Sequence, residues 1–508
     1  MGKTTIKIHA ILGSKKLFWV IFSIFILEAS WIALSAVYPQ AFDENFHFGL
    51  IKVYSHYWLP FLNQQPPGAD AFGAVARDPA FLYHYLMSFP YRLIELFVHS
   101  LEGQVIVLRF INIALFASSI ILFRKILKWT GLSKQLVNLI LFLFILIPIV
   151  PQLAGQINYD NLLMPLIATA CLLTFKIIDQ INLKIINIST ITWLLVVSLM
   201  ATMVQYQFGP IFLATILYLG YQIYRKYKLN YWKVFSQLYL SWKQQSLILK
   251  LVLTVLVFFL LAMFIQRDGY NIYQYHTVAP SCDQVLSIDS CKQYSVWDAN
   301  YIRHNDIANH SVSITYMNPV FYIGSWIYWM WYRLFFAING INSFTNYPPL
   351  PLPIAALTVV LILATYSIIR YRKRVFYHNP YLQFMGLSSL MYITILIFEG
   401  YKSYLYTGTL ELMNGRYLIP IIIFLAAIGG TALSISLKGL IYRKLFLGLF
   451  VLIMFLEGGG LLTFIIRSDS SWYWSNSTVV KVNHVAKKIT TKIIVKGSKN
   501  YTTKNWFF

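Results

Sequence analysis

Two adjacent carboxylates, Asp43 and Glu44, stand in the segment Ala41-Phe42-Asp43-Glu44-Asn45-Phe46-His47, directly after the first long apolar run. In a helix, Asp43 and His47 are four apart and Glu44 and His47 three apart, so all three can share a face. Such a set can hold a divalent cation. Alternatively, one carboxylate acts as a general base, its pKa raised by its neighbour's charge. The same residues also suit an ordinary helix start, where the dipole favours acids. Asp78, in Arg77-Asp78-Pro79-Ala80-Phe81-Leu82-Tyr83, precedes a proline that opens a further apolar stretch. It reads both as a helix cap and as an acid at the rim of a membrane cavity. Asp160, in the short turn Gly155-Gln156-Ile157-Asn158-Tyr159-Asp160-Asn161, carries the same two readings.

The conspicuous cation is Arg416, in Asn414-Gly415-Arg416-Tyr417-Leu418-Ile419-Pro420. Its planar fork of donors matches phosphate, and Gly415 lets backbone approach closely; the competing reading is an arginine that snorkels to lipid headgroups. Lys402, Arg303 and Arg333 are weaker candidates for the same clamp. Glu28 and Glu457 fall inside apolar runs and Arg109 near a helix end. Ionisable groups in a membrane are costly and mark function by default. Structural pairing with Arg109, or of the two acids with each other, is preferred here over proton transport. His304, Asp306 and His310 form a weak, irregularly spaced metal set. No phosphate-gripping glycine loop, nucleotide-binding fingerprint or zinc-protease helix is present, so chemistry driven by ATP is not expected.

These residues must be positioned by membrane helices. Of 508 residues, 58% are hydrophobic and 12% charged, against roughly 25% charged in soluble domains. Apolar runs near the ~20 residues that cross a bilayer recur along the whole chain. The sequence therefore predicts an all-α polytopic membrane protein of about eleven spans, near 17–37, 104–123, 136–153, 161–178, 190–206, 209–224, 247–266, 353–369, 381–398, 416–435 and 445–466. The first reads as an uncleaved helix, because no small-residue cleavage site follows its Lys15-Lys16 start. The net charge of +23 sets topology and does not call for nucleic acid. With the N-terminus inside, cytoplasmic segments hold 23 Lys and Arg and a single acid, Asp179, whereas 15 of 18 acids fall outside. Residues 80–98 and 319–341, rich in aromatics, are placed along the outer interface, because a full crossing by either would turn the next basic cluster outward. Outer loops then cover 38–103 and 267–352, within a membrane domain of 1–466. A polar, Lys-rich tail, 467–508, follows. Cys282 and Cys291, nine apart in an outer loop, are expected to form a disulfide, and Cys171 to pack.

The order of these parts resembles the glycosyltransferase-C superfamily of integral membrane enzymes, which includes protein O-mannosyltransferases and aminoarabinose transferases. The likeness is carried by Asp43-Glu44 after span one, Asp78-Pro79 leading to Phe81-Leu82-Tyr83, Leu108-Arg109-Phe110 opening span two, and Asp160 after span three. It covers about the first third of the chain. Gly415-Arg416-Tyr417-Leu418-x-Pro420 further resembles a motif of uncharacterised bacterial families in the same clan. The chain departs from many relatives at Pro79-Ala80, where they have two prolines, and at Gln205-Tyr206-Gln207, where they have a lysine. The resemblance implies sugar transfer from a polyprenyl-phosphate donor to a glycan, lipid or protein acceptor on the outer face of a cytoplasmic or plasma membrane. Asp43 would be the base, Glu44 and Asp78 supporting acids, and Arg416, with Lys402 and Arg303, the phosphate contact. A divalent cation, Mg or Mn, would sit on Asp43, Glu44 and His47. A transporter or flippase of lipid-linked saccharides, working through Glu28, Glu457 and Arg109, is the alternative. An assembly subunit with a dead site is a third reading.

Overall fold

A computed structural model describes residues 10–228, 230–311, 314–335, 351–410, 412–437 and 459–494. The described chain is helical, with one isolated bridge pairing Ala36 with Tyr473. In order, the helices are α1 (Lys15–Ser35), α2 (Glu44–Ser55), α3 (Leu82–Phe97), α4 (Leu101–Trp129), α5 (Lys134–Ile145), α6 (Ile149–Ala154), α7 (Asp160–Leu183), α8 (Ile188–Val204) and α9 (Gly209–Tyr227). There follow α10 (Tyr231–Lys243), α11 (Leu247–Tyr275), α12 (Ser295–Ala308), α13 (Pro319–Phe335), α14 (Pro351–Phe376), α15 (Pro380–Thr407), α16 (Ile419–Ser436), α17 (Leu461–Arg467) and α18 (Ser477–Ile494).

Among the described residues, six helices are long and apolar enough to cross a membrane: α1, α4, α7, α11, α15 and Gly415–Ser436, which contains α16. The chain is an α-helical membrane protein. Its helix starts follow local chemistry. Ser14, Ser133 and Ser246 accept amide hydrogens of the first turns of α1, α5 and α11, and Asn379 caps α15 ahead of Pro380 at its first position. The expected span at 136–153 is two helices, because Pro148 and Pro151 cannot supply amides to continue α5. The expected spans at 190–206, 209–224 and 353–369 are helices α8, α9 and α14. Span 445–466 lies largely outside the described residues, as do Glu457 and Glu411. The two stretches placed at the interface are α3 and, over its described part, α13. Cys282 and Cys291 form the expected disulfide, and Cys171 is free and buried.

α4 packs on α1, α5 and α7, and α7 on α8; α16 packs on α14 and α15. Phe25, Phe116 and Phe144 stack through the first group, with centroids 5.5 and 6.2 Å apart. One polar contact ties this bundle to the first loop. Arg109 of α4 and Glu44 at the start of α2, both with fully buried side chains, pair in bidentate fashion, Nε to Oε1 at 2.8 Å and Nη2 to Oε2 at 2.7 Å. Arg109 also donates to the carbonyls of Ala33, Ala36 and Val37 at the end of α1. Glu44 accepts the amides of Gln40 and Ile157 at 2.8 and 3.0 Å. Arg109 was expected to pair with Glu28 or Glu457; its partner is Glu44. Glu28 instead accepts the Leu461 amide and lies against Gly460, where a Cβ would fall 2.4 Å from its Oε1.

Removing one member of a fully buried pair strands the other's charge. Glu44→Gln is expected to lower unfolding stability by roughly 3–5 kcal/mol. Thermal unfolding of the solubilised variant against wild type checks this, and an unchanged midpoint contradicts it.

Candidate functional site

The site begins with two strained residues. Phe42 and Asp43, neither of them glycine, both have φ 65°, in the left-handed region, at a cost on the order of 1–2 kcal/mol per residue. Asn158 holds this conformation, donating from Nδ2 to the Phe42 carbonyl at 3.0 Å. Asn158 itself belongs to a buried polar hub. Asn112 Oδ1 accepts from the Tyr83 hydroxyl at 2.8 Å, from Asn161 Nδ2 at 3.0 Å and from the Asn158 amide at 3.4 Å. The backbone reversal turns the Asp43 carboxylate away from its neighbour Glu44. While Glu44 points into the bundle, the Asp43 side chain is 56% exposed.

Arg416 meets Asp43 there. Its Nη2 lies 3.1 Å from Asp43 Oδ2 and 3.4 Å from the Tyr417 hydroxyl, and its side chain is only 9% exposed. Its Nε and Nη1 are buried and have no partner among the described residues. Asn414 sets up the turn by accepting the Arg416 amide at 3.1 Å. Gly415 is required: a Cβ there would sit 2.2 Å from the Leu334 amide nitrogen, so only glycine lets α13 back this turn. Arg333 of α13 fixes the contact from the other side, donating to the Met413 carbonyl at 3.0 Å. Asp160, the first residue of α7, and Tyr159 lie within the field of Arg416. Tyr206 and Tyr294 are each in the field of Asp78 and Tyr417, with Tyr294 also in that of Asp43.

The structure thus gathers Asp43, Asp160 and Arg416 and sends their companions elsewhere. Asp43 precedes α2, so the helical spacing that would align it with Glu44 and His47 does not apply. Glu44 turns to Arg109, and His47 Nδ1 lies 2.9 Å from His84 Nε2 with the two rings stacked. Among the described residues no three His, Cys, Asp or Glu side chains converge as metal ligands, so Asp43, Glu44 and His47 do not fit the expected divalent cation, and neither do His304, Asp306 and His310. His304 stacks on Tyr406 instead, with centroids 3.9 Å apart. Asp78 does not cap α3, which starts at Leu82; its Oδ1 bridges Pro79 to accept the Ala80 amide at 2.9 Å. Lys402 on α15 and Arg303 on α12 are exposed, and Arg303 donates to Asn300 at 3.4 Å; Arg416 makes its own contacts to Asp43 and Tyr417.

Residues that sequence reading passed over complete the site: Asn112, Asn158, Tyr159, Tyr206, Tyr294 and His84. Only the asparagines left a signal, as amides embedded among apolar residues. No protein-family model matches the chain, and no curated protein matches it.

Burial, with the Arg416 charge second, pushes His47 down to about 3 from its ordinary 6.5. Burial and then His47 hold His84 well below its ordinary range. Both are neutral near pH 7, one ring donating to the other. In the unfolded chain each binds a proton near pH 6.5, so the unfolded state holds more protons below that pH and stability falls as pH drops from 6.5 towards 3. By pH 5 His47 alone accounts for about 2 kcal/mol. Unfolding midpoints measured from pH 7.5 to 5 should fall less steeply in the His47→Gln/His84→Gln variant than in wild type; parallel slopes refute the assignment.

Proposed function

We propose that this membrane protein is a glycosyltransferase that moves a sugar from a polyprenyl-phosphate-linked donor to a glycan, lipid or protein acceptor, on the outer face of a cytoplasmic or plasma membrane. The observation that carries the reading is Arg416, a buried guanidinium with two open donors beside a half-exposed carboxylate. A buried donor without a partner costs free energy that a ligand recovers on binding. The ligand that matches a planar fork of N–H groups is an oxyanion, and phosphate fits it in bidentate fashion. The bias of acids to segments placed outside by charge supports the outer face. A glycosyltransferase-C-like arrangement of about eleven spans belongs to the same proposal.

In this mechanism the carrier phosphate takes Nε and Nη1 of Arg416, while Nη2 keeps Asp43 in place. Asp43 accepts the proton of an acceptor hydroxyl or amine. The acceptor atom bonds to the anomeric carbon as the bond from that carbon to the phosphate oxygen breaks, and polyprenyl phosphate leaves. A single displacement inverts the anomeric centre. Arg416 stabilises the charge that grows on the leaving phosphate, the contribution that usually dominates such catalysis. Asp160 lies in the field of both Arg416 and Asp43. Glu44 acts through position alone, fixing where Asp43 begins. The tyrosines 159, 206, 294 and 417 supply flat faces and hydroxyls for a sugar ring.

Asp43→Asn should reduce transfer by roughly 10²–10⁴-fold with folding intact, as loss of a general base does. Native mass spectrometry of gently solubilised protein should show polyprenyl phosphate, co-purifying or added, on wild type and not on Arg416→Ala. A carrier retained by Arg416→Ala removes that residue from the site. If Glu28→Gln abolishes function while Asp43→Asn leaves it whole, the protein is a transporter.

A further inference from the structure

A second polar cluster lies at the top of α11, outside the groups used above. Residues Ile265–Gly269 there form one π-helical turn, a widening that recurs at functional positions. Arg267, within this turn, is fully buried and spends every donor on neutral acceptors of the first loop. Nε takes Gln266 Oε1 at 3.0 Å, Nη1 the carbonyls of Val75 and Asp78 at 2.9 and 3.1 Å, and Nη2 the Tyr54 hydroxyl and the Pro60 carbonyl at 3.1 Å each. Asn271, one turn on, donates from Nδ2 to the carbonyls of Arg77 and Val278 at 2.8 and 2.9 Å. Arg267 and Asn271 therefore grip consecutive carbonyls, those of Asp78 and Arg77. The peptide between these two residues lies across the turn that carries Asp268.

Asp268 is 1% exposed, and beyond its own amide neither carboxylate oxygen has a partner among the described residues. Asn271 is fully buried, and its Oδ1 is likewise without a donor among the described residues. Asp78 lies within the field of Asp268. The nearby cations do not fill these oxygens. The donors of Arg267 are occupied, and Arg77 stacks on Tyr270 at 4.0 Å while reaching the carbonyls of Gln266 and Asn63. Three buried acceptor oxygens with no donor from another residue among the described ones, on residues three apart and with Asp78 in the field of Asp268, leave a deficit that a donor or a cation can fill.

We infer that Asp268, Asn271 and Asp78 form a binding site for a hard divalent cation, with Ca²⁺ the best fit. All the available ligands are oxygens, which excludes the softer metals that favour thiolate or imidazole. Mixed carboxylate and amide oxygens in irregular array suit Ca²⁺, whereas Mg²⁺ demands near-octahedral geometry and retains its waters. The site is separate from the Asp43–Arg416 pair and does not depend on what that pair does. Its cation staples the first loop to α11, adding to the grip of Arg267 and Asn271.

The test uses the full solubilised chain, stripped with chelator and then freed of it, with Ca²⁺, Mg²⁺ or Na⁺ added at constant ionic strength. Wild type should bind a single Ca²⁺ per chain by equilibrium dialysis with radioactive Ca²⁺. Its unfolding midpoint should rise saturably with Ca²⁺, more than with Mg²⁺. Asp268→Asn keeps the shape and removes the charge; it should weaken Ca²⁺ binding beyond the roughly 10–100-fold that loss of a supporting partner causes. Should that variant fail to give monodisperse protein, Asp78→Asn, on the loop, carries the same expectation. Absence of Ca²⁺ binding by wild type, binding unchanged in the variants, or a response to Na⁺ alone overturns the site. None of these readouts involves transfer activity, so the outcome is independent of the proposed function.

Discussion

Placing a carboxylate and a guanidinium together where neither side chain keeps any exposure costs several kcal/mol per ion in lost hydration, and only near-complete hydrogen bonding recovers it. Glu44 and Arg109 meet that condition: the bidentate pair is completed by three carbonyls at the end of α1 and by the amides of Gln40 and Ile157. The pair therefore ties α1, α2, α4 and the turn before α7 to one point. It also decides what the next residue can do. With Glu44 drawn inward, the chain enters α2 through the left-handed turn at Phe42 and Asp43, and Asp43 is left half-exposed beside Arg416. Two adjacent carboxylates thus divide: one holds the bundle together, the other faces outward.

The same division holds among three buried arginines. Arg109 is satisfied by a carboxylate and carbonyls, and Arg267 by carbonyls, a side-chain amide and a hydroxyl. Arg416 alone of the three keeps open donors. A satisfied buried arginine is a fastener, because no ligand can compete for hydrogen bonds already made. An unsatisfied one favours an oxyanion that reaches it.

The helical class, the start of each long apolar helix and the disulfide were legible because they depend on local signals: composition, caps and cysteine spacing. Asp43, Asp160 and Arg416 were legible as polar residues at the ends of apolar runs. What stayed hidden depends on contacts between distant segments. Periodicity put Asp43, Glu44 and His47 on one face, and it failed because Asp43 lies outside the helix, in a conformation that no spacing rule encodes. Arg267 follows the expected span 247–266 directly, and the clamp it forms on residues 54–78 is made mostly of backbone carbonyls, which carry no sequence signature. His84 was read within an aromatic stretch, and its role appears only once His47 stacks against it.

Helix ends explain why the polar groups meet at this place. Asp43 immediately precedes α2, Asp160 opens α7, and the Gly415–Leu418 turn leads into α16, so three helix N-termini contribute to the surroundings of Arg416. Each N-terminus carries unsatisfied amides and roughly half a positive charge. Asp43 and Asp160 offset part of that field and part of the Arg416 charge. A phosphate arriving at the two open donors of Arg416 would enter a positive field already built by the backbone, at a surface where apolar helices give way to water. Glycine at 415 is what makes the approach geometrically possible, since any side chain there would drive the turn away from α13 and carry Arg416 with it. In the proposed mechanism, the anion site would therefore depend on how the helices begin, with Arg416 as its focus.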